Sequence, residues 1–325
     1  MKKDVMKKLV DMLKADDLGM LPDNTGASNL IKPVADKVIE ELQERNILRQ
    51  IFPTINVPTA TKNLSVPVVT YGTTKNVYTI GYGTDVTGNN EQTFQTKSLV
   101  LIPRLLVTYV DVIEDDLEAA GIDLARYLRH ALTMKLSQAE ESAMFTGVYN
   151  AAEGTYANIF NGIYTIGAGN SCATSPITYV PGTDDVIEKI MDAKKALGVY
   201  GNDANNLVIL CSLTFGNRLR KNSKVHSVDY VPSTRVIESG TLPPILGCKV
   251  FETTYLDAVL SGEIAILIRK DAFMLGLRKR VWVKNDEIVE KFTQRIIMAE
   301  DLDFKAALLN DNDKYEGMVL IKAAS

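Results

Sequence analysis

DLARYLRHALTMKLSQAEESAMFTG, residues 123–147, is the stretch that decides the fold. Asp123 is a favourable N-cap and Gly147 a favourable terminator, so the stretch predicts a helix over 123–146. At 1.5 Å per residue, this helix would be about 36 Å long. Its alanines keep one apolar face thin enough for a sheet to pack closely, which suits a structural spine. That face follows the α-helical period through Ala125, Leu128, Leu132, Leu136, Ala139 and Ala143.

Strand-forming residues precede this helix. Residues 64–71 predict a strand in which Pro67 favours an edge position. Residues 99–102 and 105–112 predict two further strands, separated by a break at Pro103. The chain therefore enters the long helix from a packed β region.

Residues 72–97 combine several glycines with Thr, Asn, Lys and Gln. The segment has too little apolar surface to offset the chain entropy it would lose by folding alone. Both of its arms carry strand formers, so we predict a long β-hairpin that lies on another molecule; a disordered loop is the alternative. The residues expected to make this contact are Lys75, Tyr78, Ile80, Tyr82, Val86 and Phe94.

The first 50 residues combine predicted helices with a turn-rich stretch at 21–26 that looks like an extended arm. Residues 3–15 predict a basic amphipathic helix, which we expect to pack on a neighbouring subunit, with a membrane surface or DNA as the alternatives. A turn-rich stretch follows, and a second helix is predicted from Pro33, with Asn46 as its stop. The arm residues expected at the subunit contact are Leu9, Leu13 and Leu30.

A second region of mixed helix and strand follows a loop-rich stretch over 148–182. Residues 183–198 predict a capped helix, residues 207–211 a buried strand, and Ser212 the cap of a helix that ends near Lys221. This order indicates a separate α/β lobe. Residues 288–304 have a mixed pattern. Further strands are predicted over 249–251, 264–268, 273–277, 281–283 and 318–321.

Charge and side-chain chemistry argue against an active site. The formal net charge is -4, so overall charge gives no reason to expect nucleic-acid binding. The chain has only two histidines, no nucleophile or dinucleotide motif, and three cysteines without metal-ligand spacing. We therefore expect no catalytic residue, no cofactor, no metal and no small-molecule substrate. No stretch approaches the roughly 20 apolar residues of a membrane span, so no membrane partner is expected.

The charged clusters have structural interpretations. The acidic pairs, Glu140-Glu141 and Glu300-Asp301 among them, are interpreted as caps, solvated faces and subunit contacts. The basic clusters near Arg218, Arg269 and Arg278 are expected to meet acidic neighbouring subunits, with DNA as the alternative.

The order of these elements resembles the major capsid protein of tailed bacteriophages, the Hong Kong 97-type fold, over roughly residues 28–322. The stretch DVIEDDL before the long helix and AEESAMFTG at its end are similar to the family's spine region. Short stretches near the second lobe also resemble the family: Asn161-Gly162-Ile163, the loop LPPILGCKV at 242–250, and Asp271-Ala272-Phe273.

The resemblance implies an α+β fold with an arm, an extended hairpin, a peripheral domain and an axial α/β domain. It places these parts as follows: 1–50 arm, 51–100 extended loop, 101–178 peripheral domain with the spine helix at 123–146, 179–284 axial domain, and 285–325 return strands of the peripheral domain.

The implied function is self-assembly through pentamers and hexamers into an icosahedral shell around the double-stranded DNA genome of a tailed phage. Copies of the chain are the main partners; separate scaffolding, portal and decoration proteins are possible further partners, and DNA is contacted weakly. The expected location is the virion, after assembly in the host cytoplasm. The alternatives are an encapsulin-type nanocompartment shell, a phage tail or adaptor component, and an unrelated α/β enzyme.

Overall fold

A computed structural model describes residues 46–70, 95–113, 122–150, 159–169, 171–222, 225, 242–259, 262–288, 293–310 and 313–324. They form two compact units, which draw on alternate parts of the chain. The elements are α1 Ile47–Ile51, β1 Thr54–Asn56, β2 Leu64–Thr70, β3 Gln95–Leu101, β4 Arg104–Ile113, α2 Ile122–Thr146, α3 Ile163–Ala168, β5 Ile177–Tyr179, α4 Val186–Ala196, β6 Leu207–Ser212, α5 Leu213–Lys221, β7 Lys249–Thr253, β8 Ile264–Arg269, β9 Phe273–Ile288, β10 Thr293–Ala306 and β11 Met318–Ala323.

The first unit contains the long helix α2 and a four-stranded sheet in the order β1-β9-β10-β4. Strand β1 runs parallel to β9, and β4 runs antiparallel to β10 over ten register pairs, from Thr293↔Ile113 to Leu302↔Arg104. Helix α2 packs on β4. Helix α1 contacts α2, so the short segment that follows the first 45 residues belongs to this unit's core.

The predicted spine helix is confirmed to within one residue. Leu132, Leu136 and Ala143 are buried, as the period requires, and Ala139 is half-buried. Gly147 follows the last residue of the helix, and its N–H donates to the Ala143 carbonyl at 2.9 Å. A Cβ at this position would lie 2.6 Å from the Phe160 carbonyl oxygen, so only glycine allows the approach.

The second unit is built on a five-stranded mixed sheet in the order β5-β11-β8-β6-β7. Helices α4 and α5 cover its core, and each has the predicted N-cap. The Asp185 carboxylate accepts from the Ile187 N–H at 3.0 Å, and the Ser212 hydroxyl accepts from the Phe215 N–H at 3.1 Å. The β2–β3 pair belongs to this unit as a separate two-stranded sheet.

Several sequence predictions need correction. Residues 285–325 were expected to return to the unit with the spine helix, but β11, the last strand of this range, lies between β5 and β8 in the second unit's sheet. Its four residues from Met318 to Ile321 are fully buried. Such a continuous apolar run suits a central strand that is covered on both faces.

Strand β9 is continuous, whereas the sequence predicted two strands interrupted by Arg278-Lys279-Arg280. The interruption is absent because Arg278 pairs with Asp301 on the neighbouring strand β10, which lets a charged residue occupy mid-strand. The region predicted as mixed, 288–304, is mostly strand β10.

Helix α3 was predicted as part of a loop. Gly167 lowers its helix propensity, yet this glycine lets the helix approach β11, where a Cβ would lie 2.8 Å from the Met318 Cε. Asn46, predicted as a helix stop, is the N-cap of α1, with its side chain accepting from the Leu48 and Arg49 N–H groups. The two helices predicted over 3–15 and from Pro33 lie outside the described residues.

Candidate assembly site

The base of the predicted hairpin is an antiparallel pair of strands. Strands β2 and β3 keep one register from Leu64↔Leu101 to Thr70↔Gln95, and Pro67 opposes Ser98. Pro67 therefore lies in a two-stranded sheet, where each strand is an edge, as its missing N–H predicts. The connection between the strands, residues 71–94, lies outside the described residues. So do all six predicted contact residues: Lys75, Tyr78, Ile80, Tyr82, Val86 and Phe94.

Two side chains of β10 hold the backbone where β3 ends. In the second unit, the Lys305 ammonium donates to the Val100 carbonyl. In the first unit, the buried Asp303 carboxylate accepts from the Ile102 N–H at 2.6 Å. Charge-assisted bonds to backbone are among the stronger hydrogen bonds, so each of these two bonds holds the backbone within its own unit.

Strand β4 presents an apolar row to solvent. Leu105, Val107 and Tyr109 are 53%, 44% and 53% exposed, whereas Leu106 between them is buried. The alternation arises because successive side chains of a strand point to opposite faces, and α2 covers only one face. Arg295 lies over the Tyr109 ring, 4.3 Å from its centroid. Three alternating apolar side chains on one face are a candidate contact surface.

The other predicted site residues divide into two groups. Leu132 and Leu136 of the spine helix are buried as predicted, Ala139 is half-buried, and the side chain of Leu128 lies outside the described part of the chain. The arm residues Leu9, Leu13 and Leu30 also lie outside it.

A buried ion cluster joins α1, α2 and β10. The Arg49 Nε donates to Glu140 Oε1 at 2.7 Å, and its Nη2 donates to Glu300 Oε1 at 2.6 Å. The side chains of both glutamates are fully buried and that of Arg49 is nearly so. Glu141, next to Glu140, accepts from the Ile47 N–H at 3.3 Å. Helix α1 is thus held by charge as well as by packing.

Burial sets the protonation of these acids. Desolvation raises the pKa of Glu300 to about 7 against the opposing attraction of Arg49. Desolvation likewise raises the pKa of Glu141 to about 7, although the Ile47 N–H opposes it. Burial acts to lower the pKa of Arg49, but the attraction of Glu140 and Glu300 raises it above its usual value, so this guanidinium stays charged.

The interpretation of these acids as solvated faces or subunit contacts was wrong. Glu140 and Glu300 lie in the core, and Asp301 is buried beside Arg278. Two signals in the sequence could have identified them. Glu140 lies four positions after Leu136, on the apolar face of the helix, and Glu300 falls in the inward-facing series Ile296, Met298, Glu300, Leu302, Phe304.

The arginines of the basic clusters have partners within the chain. Arg218 pairs with Glu263, Arg220 with Glu252, Arg269 with Asp271 and Arg278 with Asp301, at 2.8 Å or less. They were expected to meet neighbouring subunits. Arg278 also lies in the first unit, not in the α/β lobe.

The described residues hold few groups that could support chemistry. No group of three or more His, Cys, Asp or Glu side chains within them could hold a metal ion. The three cysteines are free and buried. No helix in the described ranges is long and apolar enough to cross a membrane.

A sequence profile of the phage capsid family matches residues 27–308. The chain belongs to the phage capsid family. The match covers the β2–β3 pair, the ion cluster and every described helix and strand except β11, so these features are parts of a phage capsid protein. No curated protein matches the chain.

Solved structures from two phages and from a GTA capsid share the fold of this phage capsid family member. A chain from Mycobacterium phage Adephagia is 12% identical, with a TM-score of 0.62, and covers 96% of this chain and 98% of its own. A chain from Microbacterium phage Oxtober96 is 16% identical, with a TM-score of 0.61, and the match covers 95% of this chain and 94% of that one. A chain from the capsid of the native GTA particle is 16% identical, with a TM-score of 0.61, and the match covers 86% of this chain and 90% of that one. The expected α+β capsid fold is confirmed.

Proposed function

We propose that this chain is a major capsid protein whose copies close into pentamers and hexamers, and these into an icosahedral shell around double-stranded DNA. The single observation that carries the proposal is the family match over 27–308, supported by a fold shared with chains from phages Adephagia and Oxtober96 over nearly their whole length. Closed shells from one chain require self-complementary or ring-forming contacts on each copy. The role is structural, with no catalytic step.

The hairpin supplies one such contact in this proposal. Its base is fixed at β2–β3, while residues 71–94 carry Tyr78, Ile80 and Tyr82 at alternate positions. In an extended conformation these three side chains would lie on one face, which a second copy would cover. Many contacts of modest strength, repeated around each ring, give a stable shell cooperatively.

The apolar row of β4 supports the same proposal. Leu105, Val107 and Tyr109 expose a strip of hydrophobic side chains on a strand whose only paired side among the described strands is β10. Strand β4 is thus an edge strand among the described strands. Proteins commonly protect an edge strand with charged residues or cover it with another element. We assign this strip to a contact with another copy of the chain.

The two units take the two domain roles of the fold in this proposal. The first unit, with α2 as its spine, is the peripheral domain, and the second unit, including β11, is the axial domain. Scaffolding, portal and decoration proteins are further partners, DNA is contacted weakly, and the product is a virion assembled in the host cytoplasm.

Loop replacement tests the proposal. Residues 71–94 are replaced by Asn-Gly, which joins Thr70 to Gln95 by a two-residue hairpin turn and keeps the β2–β3 register. The variant should keep the circular dichroism spectrum and melting temperature of the parent, yet form no closed shells by negative-stain electron microscopy. Normal shells from this variant would refute the role of the hairpin.

A second pair of variants separates side-chain contact from loop length. Tyr78→Ser, Ile80→Ser and Tyr82→Ser together should prevent closure, because they remove the apolar face while leaving the segment's length unchanged. The matched control, with Thr73→Ser, Thr84→Ser and Thr87→Ser, should assemble like the parent. The shell function itself would be overturned if the parent chain stayed monomeric at high concentration.

A further inference from the structure

The ion cluster of the first unit carries one more negative than positive charge. Arg49 is the only cation that contacts Glu140 and Glu300 among the described residues, and both carboxylates are fully buried. The other charged groups nearby do not correct this excess. Glu141 adds a further acid from α2, and Asp301 on β10 pairs with Arg278 on β9.

Four polar atoms of the cluster have no hydrogen-bond partner among the described residues. Two are acceptors, Glu140 Oε2 and Glu300 Oε2, and two are donors, Arg49 Nη1 and Asn46 Nδ2. A buried acceptor without a donor costs on the order of 1–3 kcal/mol, and more when it is charged. A proton on Glu300 would remove the excess charge and turn its unpartnered oxygen into a donor.

We propose that Glu300 holds a proton, which the protein takes up when residues 46–51 dock against α2 and β10, so that pH controls how firmly this segment is held. The segment is the described start of the chain, and the first 45 residues are attached to it. The inference concerns the fold of one chain and does not depend on shell assembly.

The direction of the pH effect follows from the burial of these acids. The pKa of Glu300 lies at about 7 in the folded chain and at 4.5 for the free group, so the folded state binds the proton more tightly. The contribution of a carboxyl with a raised pKa is fully present below about 4.5 and is lost as pH rises toward about 7. This interval corresponds to a change on the order of a hundred-fold in the docking equilibrium. The raised pKa of Glu141 acts in the same direction.

Hydrogen exchange of the full chain tests this inference at the segment itself. The Phe52 N–H donates to the Leu48 carbonyl at 2.9 Å and reports on α1. After correction for intrinsic exchange, its protection should fall at least tenfold between pH 5.5 and pH 8. Glu300→Gln, which mimics the protonated acid, should keep the protection at both pH values. The control Glu188→Gln, at an exposed position of α4, should behave like the parent.

Two outcomes of this experiment would overturn the inference. One is equal protection of the parent at both pH values. The other is a pH dependence that Glu141→Gln removes and Glu300→Gln leaves intact, because the proton would then belong to Glu141.

Infrared spectroscopy supplies a measurement that needs no variant to fold. The parent chain at pH 6 should show the carbonyl absorption of a buried protonated carboxyl group, and this band should disappear on titration to pH 8.5. Glu300→Gln, where folded, should remove the contribution of Glu300 to this band, and Glu141→Gln should leave that contribution in place. A parent spectrum without this band at pH 6 refutes the proton on Glu300.

Discussion

Replacing Arg49 by Met tests the energetic role of the buried cluster. Arg49 makes two charge-assisted hydrogen bonds, at 2.7 Å to Glu140 and 2.6 Å to Glu300, and all three side chains are buried. Met fills a similar volume but leaves two carboxylates without a cation. Removing one partner of a buried ion pair costs about 3–5 kcal/mol, and two bonds to charged groups at about 1.5–3 kcal/mol each give a similar sum. We expect Arg49→Met to lower the free energy of unfolding at pH 8 by about 3–5 kcal/mol.

The cost should depend on pH in a defined way. Without Arg49 the two glutamates escape the penalty by binding protons, so the loss at pH 5 should be smaller than the loss at pH 8. The assay is urea unfolding followed by circular dichroism at both pH values. The slope with urea should stay unchanged, so that a shift in midpoint reports stability.

A triple variant separates lost packing from unpaired charge. Arg49→Met with Glu140→Leu and Glu300→Met removes every charge of the cluster, and such replacements are often neutral or stabilising. This variant should recover most of the stability that Arg49→Met alone loses. A loss below about 1 kcal/mol for Arg49→Met at pH 8 would show that the cluster is solvated or unpaired in solution, and the reasoning would fail.

Three further predictions concern the second unit and the thiols. Gly216→Ala would place a Cβ 1.9 Å from Glu252 Oε1, so we expect it to lower the free energy of unfolding by about 1–3 kcal/mol in thermal melting. When Glu252→Ala is combined with it, the total loss of stability should be smaller than the sum of the two single losses. Ser212→Ala removes the buried acceptor of the Phe215 and Ile264 N–H groups and should cost about 1–3 kcal/mol in urea, whereas full retention of stability would contradict the cap. Burial raises the pKa of all three cysteine thiols, so native protein at pH 8 should take up no thiol reagent and urea-unfolded protein three equivalents; rapid labelling of the native chain would disprove their burial.

Local patterns predicted most helices and strands of the described chain. The spine helix was predicted within one residue because its period and its terminator, Gly147, agree, although Asp123 lies inside the helix and is not its N-cap. The same agreement holds for α4, with Asp185 at its start, and for the β6–α5 junction at Ser212. The break at Pro103 lies between β3 and β4, as predicted, because proline cannot donate to a ladder.

Patterns failed where a distant contact outweighed a local preference. Arg278 was taken as the end of a strand, but its pairing with Asp301 across the sheet lets β9 continue. Helix α3 forms despite Gly167 because it packs on β11, which is far along the chain. In both cases the deciding partner lies outside any window that a local reading uses.

The sequence by itself determined the family, the spine helix and the strands β2 and β3 that flank residues 71–94. These depend on neighbours a few residues apart, whose spacing fixes which side chains share a face. Only the tertiary structure decided that β11 lies in the second unit's sheet and that Arg49 meets Glu140 and Glu300, which are 91 and 251 residues away. A buried charge is tolerated only with its partner, and no local pattern specifies which distant residue that partner is.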